Sequence, residues 1–356
     1  FAQLGLAEGN NTPRGDSAAA GHEMGTLLPT VDLGTGRTVI SLSASAGTTC
    51  AVLDNAVVKC WGYNEDGELG NGGTADVGSA VGSMGDNLPA VNLGVRVRSI
   101  TSSANHVCAI LENRALQCWG FNGQGFPTEA VVDEKGQLGL GDTENRGDDP
   151  DEMGNALPAV DLGGGHTAKA ASAGTYHTCA ILDDDTVKCW GDNSTGQLGY
   201  GDLNDRGDNE SVASLGVVDL GTGRTAKAIA AGEYFTCALL DNATVKCWGD
   251  NNRGQLGIGT TDDHGDGVGA MGDGLPAVDL GTRRTAKAIS VGSEYACALL
   301  DNATVKCWGD NSEGQSAFGD YVWYGDKQYI GDQPAEMGNA LPAVKLGRKA
   351  KSIEAG

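Results

Sequence analysis

Aromatic residues make up only 5% of this 356-residue chain, and no apolar run approaches the ~18 to 20 residues that a bilayer-spanning helix needs. The first shortage argues against a helical core of large side chains, and the second leaves no transmembrane segment to place. Bases are few as well, 24 against 47 acids, for a net charge of -23. Such a surface repels phosphate backbones, which excludes nucleic acid as a partner class. Also missing are a nucleophile elbow, a phosphate loop, a zinc signature and a collagen-like Gly-X-Y period, so the chain does not read as an enzyme. It has no initiating Met and no signal peptide, and we read it as a mature or excised portion of something longer.

What is present in excess is glycine, 57 residues, which suits many short strands joined by tight turns. The ten cysteines fall into five pairs spaced by ten residues, each closed by Cys-Trp-Gly: Cys50 with Cys60, Cys108 with Cys118, Cys179 with Cys189, Cys237 with Cys247, and Cys297 with Cys307. Aligning the chain with itself gives a unit of about 60 residues with four short segments, each rich in small or β-branched residues and bounded by Gly, Asn, Asp or Pro. In the fourth copy these begin at Ser214, Ala226, Thr236 and Thr244. The expectation is an all-β β-propeller of four-stranded antiparallel blades in a single repetitive domain, with a linear solenoid as the alternative. The blades fall at about 27–62, 88–120, 157–191, 215–249 and 275–309, with a partial repeat at 341–356. Five complete blades are covered, and a ring of six or seven requires further flanks. The chain opens and closes in mid-repeat, and the loops between blades are far longer than the usual connection.

Pairing Cys237 with Cys247 sets Ala238 opposite Lys246, Leu239 opposite Val245 and Leu240 opposite Thr244, with a three-residue loop. That register brings the two sulfurs directly across the ladder, within disulfide range. Each bridge would contribute about 2 to 3 kcal/mol by constraining the unfolded chain. Two cysteines per sheet cannot complete a tetrahedral zinc site, and the remaining alternative is buried reduced thiols. Disulfides persist in oxidising compartments, which points to an extracellular or cell-surface protein.

The stretch from Cys179 through Cys189-Trp190-Gly191 to Gly196-Gln-Leu-Gly199 resembles the repeat of the regulator of chromosome condensation family, and all copies share the likeness. The resemblance implies a propeller, commonly of seven blades, with repeats split across neighbouring blades. It also marks Trp61, Trp119, Trp190, Trp248 and Trp308, with their adjoining glycines, as scaffold positions. The family's nuclear members bind chromatin and act as guanine-nucleotide exchange factors. This sequence departs from them in its second cysteine per repeat and its acidity, and it is closer to secreted members, which include a bacterial inhibitor of β-lactamases.

Acidic loops supply calcium candidates: Asp142, Glu144 and Asp148 in one, Asp202, Asp205 and Asp208 in another. Their spacing is not that of an EF-hand, and the plainer reading is a solvated turn in which Arg146 or Arg206 pairs with an Asp. Arg-Gly-Asp recurs at Arg14–Asp16 and in both loops, and becomes His-Gly-Asp at His264, which favours a scaffold role over cell adhesion. Two loops break the repeat. One inserts 126–136; the other, 318–329, gathers Phe318, Tyr321, Trp323, Tyr324 and Tyr329 and is the candidate partner-binding surface. His106 and His177 sit two residues before a cysteine, where other copies have Thr48, Phe235 and Tyr295, which suits packing better than a catalytic base. Asn10, Asn193, Asn209, Asn242 and Asn302 open glycosylation sequons. The reading that unites these features is an extracellular, non-catalytic structural or assembly scaffold. The alternative is a secreted binding module that presents a loop face to a protein or glycan. No cofactor is implied unless the acidic loops hold calcium.

Overall fold

In a computed structural model of the chain, residues 3–6, 28–123, 135–315 and 328–355 are described. Three strands form each repeat: β1 Val39–Ala44, β2 Thr48–Leu53 and β3 Val58–Gly62; β4 Val97–Ser102, β5 His106–Leu111 and β6 Leu116–Gly120; β7 Ala168–Ala173, β8 His177–Leu182 and β9 Val187–Gly191; β10 Ala226–Ala231, β11 Phe235–Leu240 and β12 Val245–Gly249; β13 Ala286–Val291, β14 Tyr295–Leu300 and β15 Val305–Asp310. All are antiparallel and joined in sequence order, and a short β16, Tyr329–Ile330, adds a fourth strand to the last sheet. Helix is confined to three-residue 3-10 turns among the described residues, and none is long and apolar enough to cross a membrane.

The sequence places four strands in each sheet, and the structure corrects this to three in four of the five. The segment read as a first strand makes one ladder contact only, onto the third strand of the preceding sheet: the Val218 N–H donates to the Val187 carbonyl at 2.8 Å and the Val278 N–H to that of Val245 at 2.8 Å. Proline follows the opening leucine in every copy but the fourth, as at Pro89 and Pro276, and a proline has no N–H to extend a ladder. The other end of the same edge is met by a single bridge from the long loop, Gly191 to Arg206 and Gly249 to His264. In both described copies, at Arg146 and Arg206, the Arg-Gly-Asp triplet is thus a backbone splice at a sheet edge, in keeping with a scaffold role. Edge groups left bare would invite pairing with other chains, and the interrupted fourth strand covers them.

The chain packs as two compact units, one of residues 1–124 and 144–159, the other of 125–143 and 160–356. In the first, Cys50, Val52, Val58 and Cys60 pack against Val97, Val107, Leu111 and Trp119. In the second, Cys179, Ile181 and Val187 meet Ala226, Leu240 and Trp248, and Cys237, Leu239 and Val245 meet Ala286, Leu300 and Trp308. Strands flanked by sheets on both faces are buried along their length, so the second and third strands lose the alternation of a half-exposed strand.

A tryptophan ties each sheet to the loop of the repeat before it. Nε1 donates to the Gln3 carbonyl from Trp61, to Glu68 from Trp119, to Gln137 from Trp190, to Gln197 from Trp248 and to Gln255 from Trp308, at 2.9–3.0 Å. A buried lysine ties most sheets to the repeat after it. Lys59 Nζ donates to the Gly85 carbonyl, Lys188 to Val212, Lys246 to Leu220 and Gly272, and Lys306 to Leu280 and Gly338. Gln117 does the same for the second sheet, donating to the Leu157 carbonyl at 2.6 Å.

The cysteine register is as read: Cys237 faces Cys247, Ala238 faces Lys246 and Leu239 faces Val245. The same facing recurs in the other four hairpins, where Cys50 opposes Cys60, Cys108 opposes Cys118, Cys179 opposes Cys189 and Cys297 opposes Cys307. All five pairs are bridged, with Cα atoms 4.0–4.1 Å apart, and no cysteine is free. The alternative of buried reduced thiols therefore falls away for Cys108 and Cys118, and for Cys297 and Cys307, as it does for the rest. The hairpin loops place a non-glycine residue at positive φ in every copy: Ala56, Arg114, Asp185, Ala243 and Ala303, at 62–69°. An Asn or Asp one residue earlier offsets part of that cost by accepting the N–H two positions on, as Asn242 does from Thr244 at 3.1 Å.

Candidate interaction face

Each sheet of the second unit has at one end the turn entering its second strand and the loop leaving its third. The loop is built by one asparagine. Asn193 accepts the Leu198 N–H through Oδ1 at 3.0 Å, donates Nδ2 to the Asp202 carbonyl at 2.8 Å, and its own N–H reaches Asp205 at 2.7 Å; Asn251 repeats the pattern with Leu256, Thr260 and Asp263. Glycine is required just before it. At Gly191 and Gly249, φ is 107° and a Cβ would lie 2.4 Å from the carbonyl oxygen of Tyr176 or Tyr234.

That frame displays a continuous set of half-buried side chains. Neighbouring turns are bonded to one another, Thr175 N–H to the Gly232 carbonyl and Glu233 N–H to that of Ser293, so the ends of the third, fourth and fifth sheets form one surface. On it the rings of Tyr176 and Tyr234 lie 5.9 Å apart at 31°. Lys135 bridges Asp192 at 2.7 Å and Asp205 at 3.3 Å. Arg253 pairs with Glu294 at 2.9 Å and lies over the Tyr329 ring, 5.3 Å from its centroid. Burial pushes the Tyr234 hydroxyl up to about 12, helped by Tyr176 and Glu233. Burial also raises the Glu294 carboxyl, against the pull of Arg253. Rigid aromatics and an aligned guanidinium, partly desolvated before any partner arrives, are the chemistry of a protein contact surface.

Tyr329 of the aromatic set joins this face through β16; Phe318, Tyr321, Trp323 and Tyr324 lie outside the described residues, as do Asn10, the 126–134 portion of the inserted loop and the first Arg-Gly-Asp. Two of the calcium candidates have cation or amide partners, while Asp148 and Asp208 each keep one buried carboxylate oxygen without a hydrogen-bond partner. Asp202 pairs with Arg206 at 2.8 Å, Asp205 accepts from Asn193 and Lys135, and Arg146 donates to the Glu144 and Asn145 carbonyls. Burial pushes the Asp148 carboxyl up to about 6, with Glu152 adding to it. Asp142, Glu144, Asp148, Asp202, Asp205 and Asp208 do not converge, and the only described trio with metal-ligand spacing is His166, Asp183 and Asp184.

One glycosylation candidate is corrected. Asn193 is fully buried with Nδ2 committed to Asp202, so a glycan there does not fit the fold; Asn209, Asn242 and Asn302 are exposed, the last two on hairpin tips. His106 and His177 are fully buried, and burial holds the His177 imidazole down to about 4, keeping it neutral. Sequence reasoning passed over Tyr176, Tyr234, Glu294 and Arg253. The signal was there: the residue three before the first cysteine runs Gly47, Asn105, Tyr176, Tyr234, Glu294, a variable column in a uniform repeat.

Five segments, residues 39–68, 97–125, 168–197, 226–255 and 286–315, match the model of the regulator of chromosome condensation (RCC1) repeat. The chain is similar to the ultraviolet-B receptor UVR8 of Arabidopsis thaliana, 28% identical over 315 residues, 86% of this chain and 62% of the receptor. It is 27% identical to the E3 ubiquitin-protein ligase HERC2 of Homo sapiens over 274 residues, 76% of this chain and 5% of the ligase. It therefore spans less than two thirds of either relative. Among solved structures, yeast RCC1 (Prp20) bound to Kap60 matches with a TM-score of 0.66 at 17% identity, covering 89% of this chain and 66% of that one. Human WBSCR16 matches at 0.59 and 17%, covering 78% and 64%. These likenesses place the sheets in the RCC1 propeller class of fold.

Proposed function

We propose that this chain of RCC1 repeats is a non-catalytic scaffold that binds protein through the turn face of its second unit, in an oxidising compartment outside the cell. The observation that carries the reading is the joined surface of Tyr176, Tyr234, Arg253, Glu294 and Tyr329, whose aromatic and guanidinium groups are already packed and ion-paired. Pre-ordering of this kind lowers the entropy lost on association. The yeast RCC1 structure, solved with Kap60 bound, is a precedent for protein binding within this fold class. Five bridged cysteine pairs support the compartment.

A photo-crosslinker at Tyr234 tests the face in unreduced protein returned to its source material. Crosslinks to a second copy make it an assembly scaffold and crosslinks to another protein make it a binding module; either is expected to disappear in the Tyr176→Ala variant. A face that crosslinks to nothing, or equally well after that substitution, overturns the proposal. Ten free thiols in freshly isolated protein would overturn the compartment.

A further inference from the structure

The opposite ends of the sheets carry a recurring ion pair between the approach to the first strand and the first residue of the hairpin loop. It is Arg37–Asp54 at 3.3 Å, Arg96–Glu112 at 3.2 Å, Arg224–Asp241 at 3.2 Å and Arg284–Asp301 at 3.2 Å. In the third repeat the arginine is replaced by His166, whose Nδ1 lies 2.6 Å from Asp183 Oδ1. The next loop residue changes with it. Asn55, Asn113, Asn242 and Asn302 of the other copies give way to Asp184, whose Oδ2 lies 3.9 Å from His166 Nε2. A structural pair between a permanent cation and an acid has thus become one imidazole facing two carboxylates. Their ligand atoms all lie within 4.8 Å of one another, the only such trio among the described residues.

The geometry points to a divalent metal site of the zinc class at His166, Asp183 and Asp184, with solvent completing the coordination. Arginine cannot ligate a metal and an asparagine amide is a poor zinc ligand, so both departures from the repeat run in one direction. The hairpin holds the carboxylates in place. Asp184 Oδ1 is fixed by the Thr186 N–H at 3.0 Å and hydroxyl at 2.6 Å, which leaves Oδ2 toward the imidazole. Asp185 is drawn away by Lys169 at 2.7 Å and does not crowd the trio. Binding displaces the proton shared between His166 and Asp183. The site lies away from the turn face, and it stands or falls independently of the proposed function.

Titration calorimetry with Zn²⁺ alone, on the unreduced chain in a non-chelating buffer, tests the site. One equivalent is expected to bind. His166→Arg restores the residue of the sister repeats and should fold as they do; it is expected to abolish this equivalent. Asp184→Asn, the other sister residue, should weaken it at least tenfold. Absence of binding by the parent chain overturns the assignment. So does undiminished binding by His166→Arg or by Asp184→Asn, either of which would put the metal elsewhere.

Discussion

Glu68→Gln should make the protein more stable at pH 8 and leave it unchanged near pH 4. Glu68 occupies the position held by Gln137, Gln197, Gln255 and Gln315 in the other repeats. It is fully buried; Oε2 accepts the Asp66 N–H at 3.0 Å, and Oε1 has no hydrogen-bond partner. Burial pushes the carboxyl from its ordinary 4.5 to about 7, with Asp66 and Asp76 adding repulsion against two backbone N–H groups. Because the folded state holds this proton more tightly than the unfolded chain, stability falls as pH rises from 4.5 toward 7 and stays low above it. At about 1.4 kcal/mol per tenfold change in proton affinity, ionising the buried group costs roughly 3 kcal/mol. The amide carries no such cost. Denaturant unfolding of unreduced parent and variant at pH 4, 6 and 8 should show a difference that opens from near zero to as much as roughly 3 kcal/mol. A gap independent of pH, or a variant less stable at pH 8, would refute the reasoning.

Two further outcomes follow from the joints and hairpins. Lys246→Met strands the Leu220 and Gly272 carbonyls and should lower stability by about 2 to 3 kcal/mol, while Lys246→Gln, which imitates Gln117, should recover most of that in the same unfolding measurement. Ala243→Gly relieves a φ of 65° and should raise the thermal midpoint slightly, by about 0.5 kcal/mol of net stability once the flexibility of glycine in the unfolded chain is subtracted; Ala243→Val should lower it by more.

The cysteine register and the three strands around it are legible in the sequence because each is local: a hairpin is set by ten residues, and the pairing of Cys237 with Cys247 follows from the loop length. The segment read as a first strand misleads because Leu-Pro-Ala-Val-Asp has strand composition but includes a proline that cannot donate to a ladder, and only the fold shows that its valine bonds to the sheet before. The interaction face is harder still. Tyr176 and Tyr234 are 58 residues apart in sequence and meet only because neighbouring turns are joined through backbone bonds. Once the repeats are aligned, the variable columns that hold Tyr176 and Arg253, and the single exchange at His166, stand out from the shared scaffold.

The tryptophan and lysine joints also bear on how such a chain can grow. Every sheet takes a hydrogen bond from its own tryptophan to the loop behind it and, in most copies, from its own lysine to the segment ahead. Both donors lie on the third strand, and both acceptors are main-chain oxygens, which any amino acid supplies. A duplicated gene segment of one repeat length would therefore arrive with its connectors and need no matching change in its neighbours. Amino-acid replacement can then proceed freely in the exposed columns while the couplings stay intact, and individual copies are left open to acquire separate tasks.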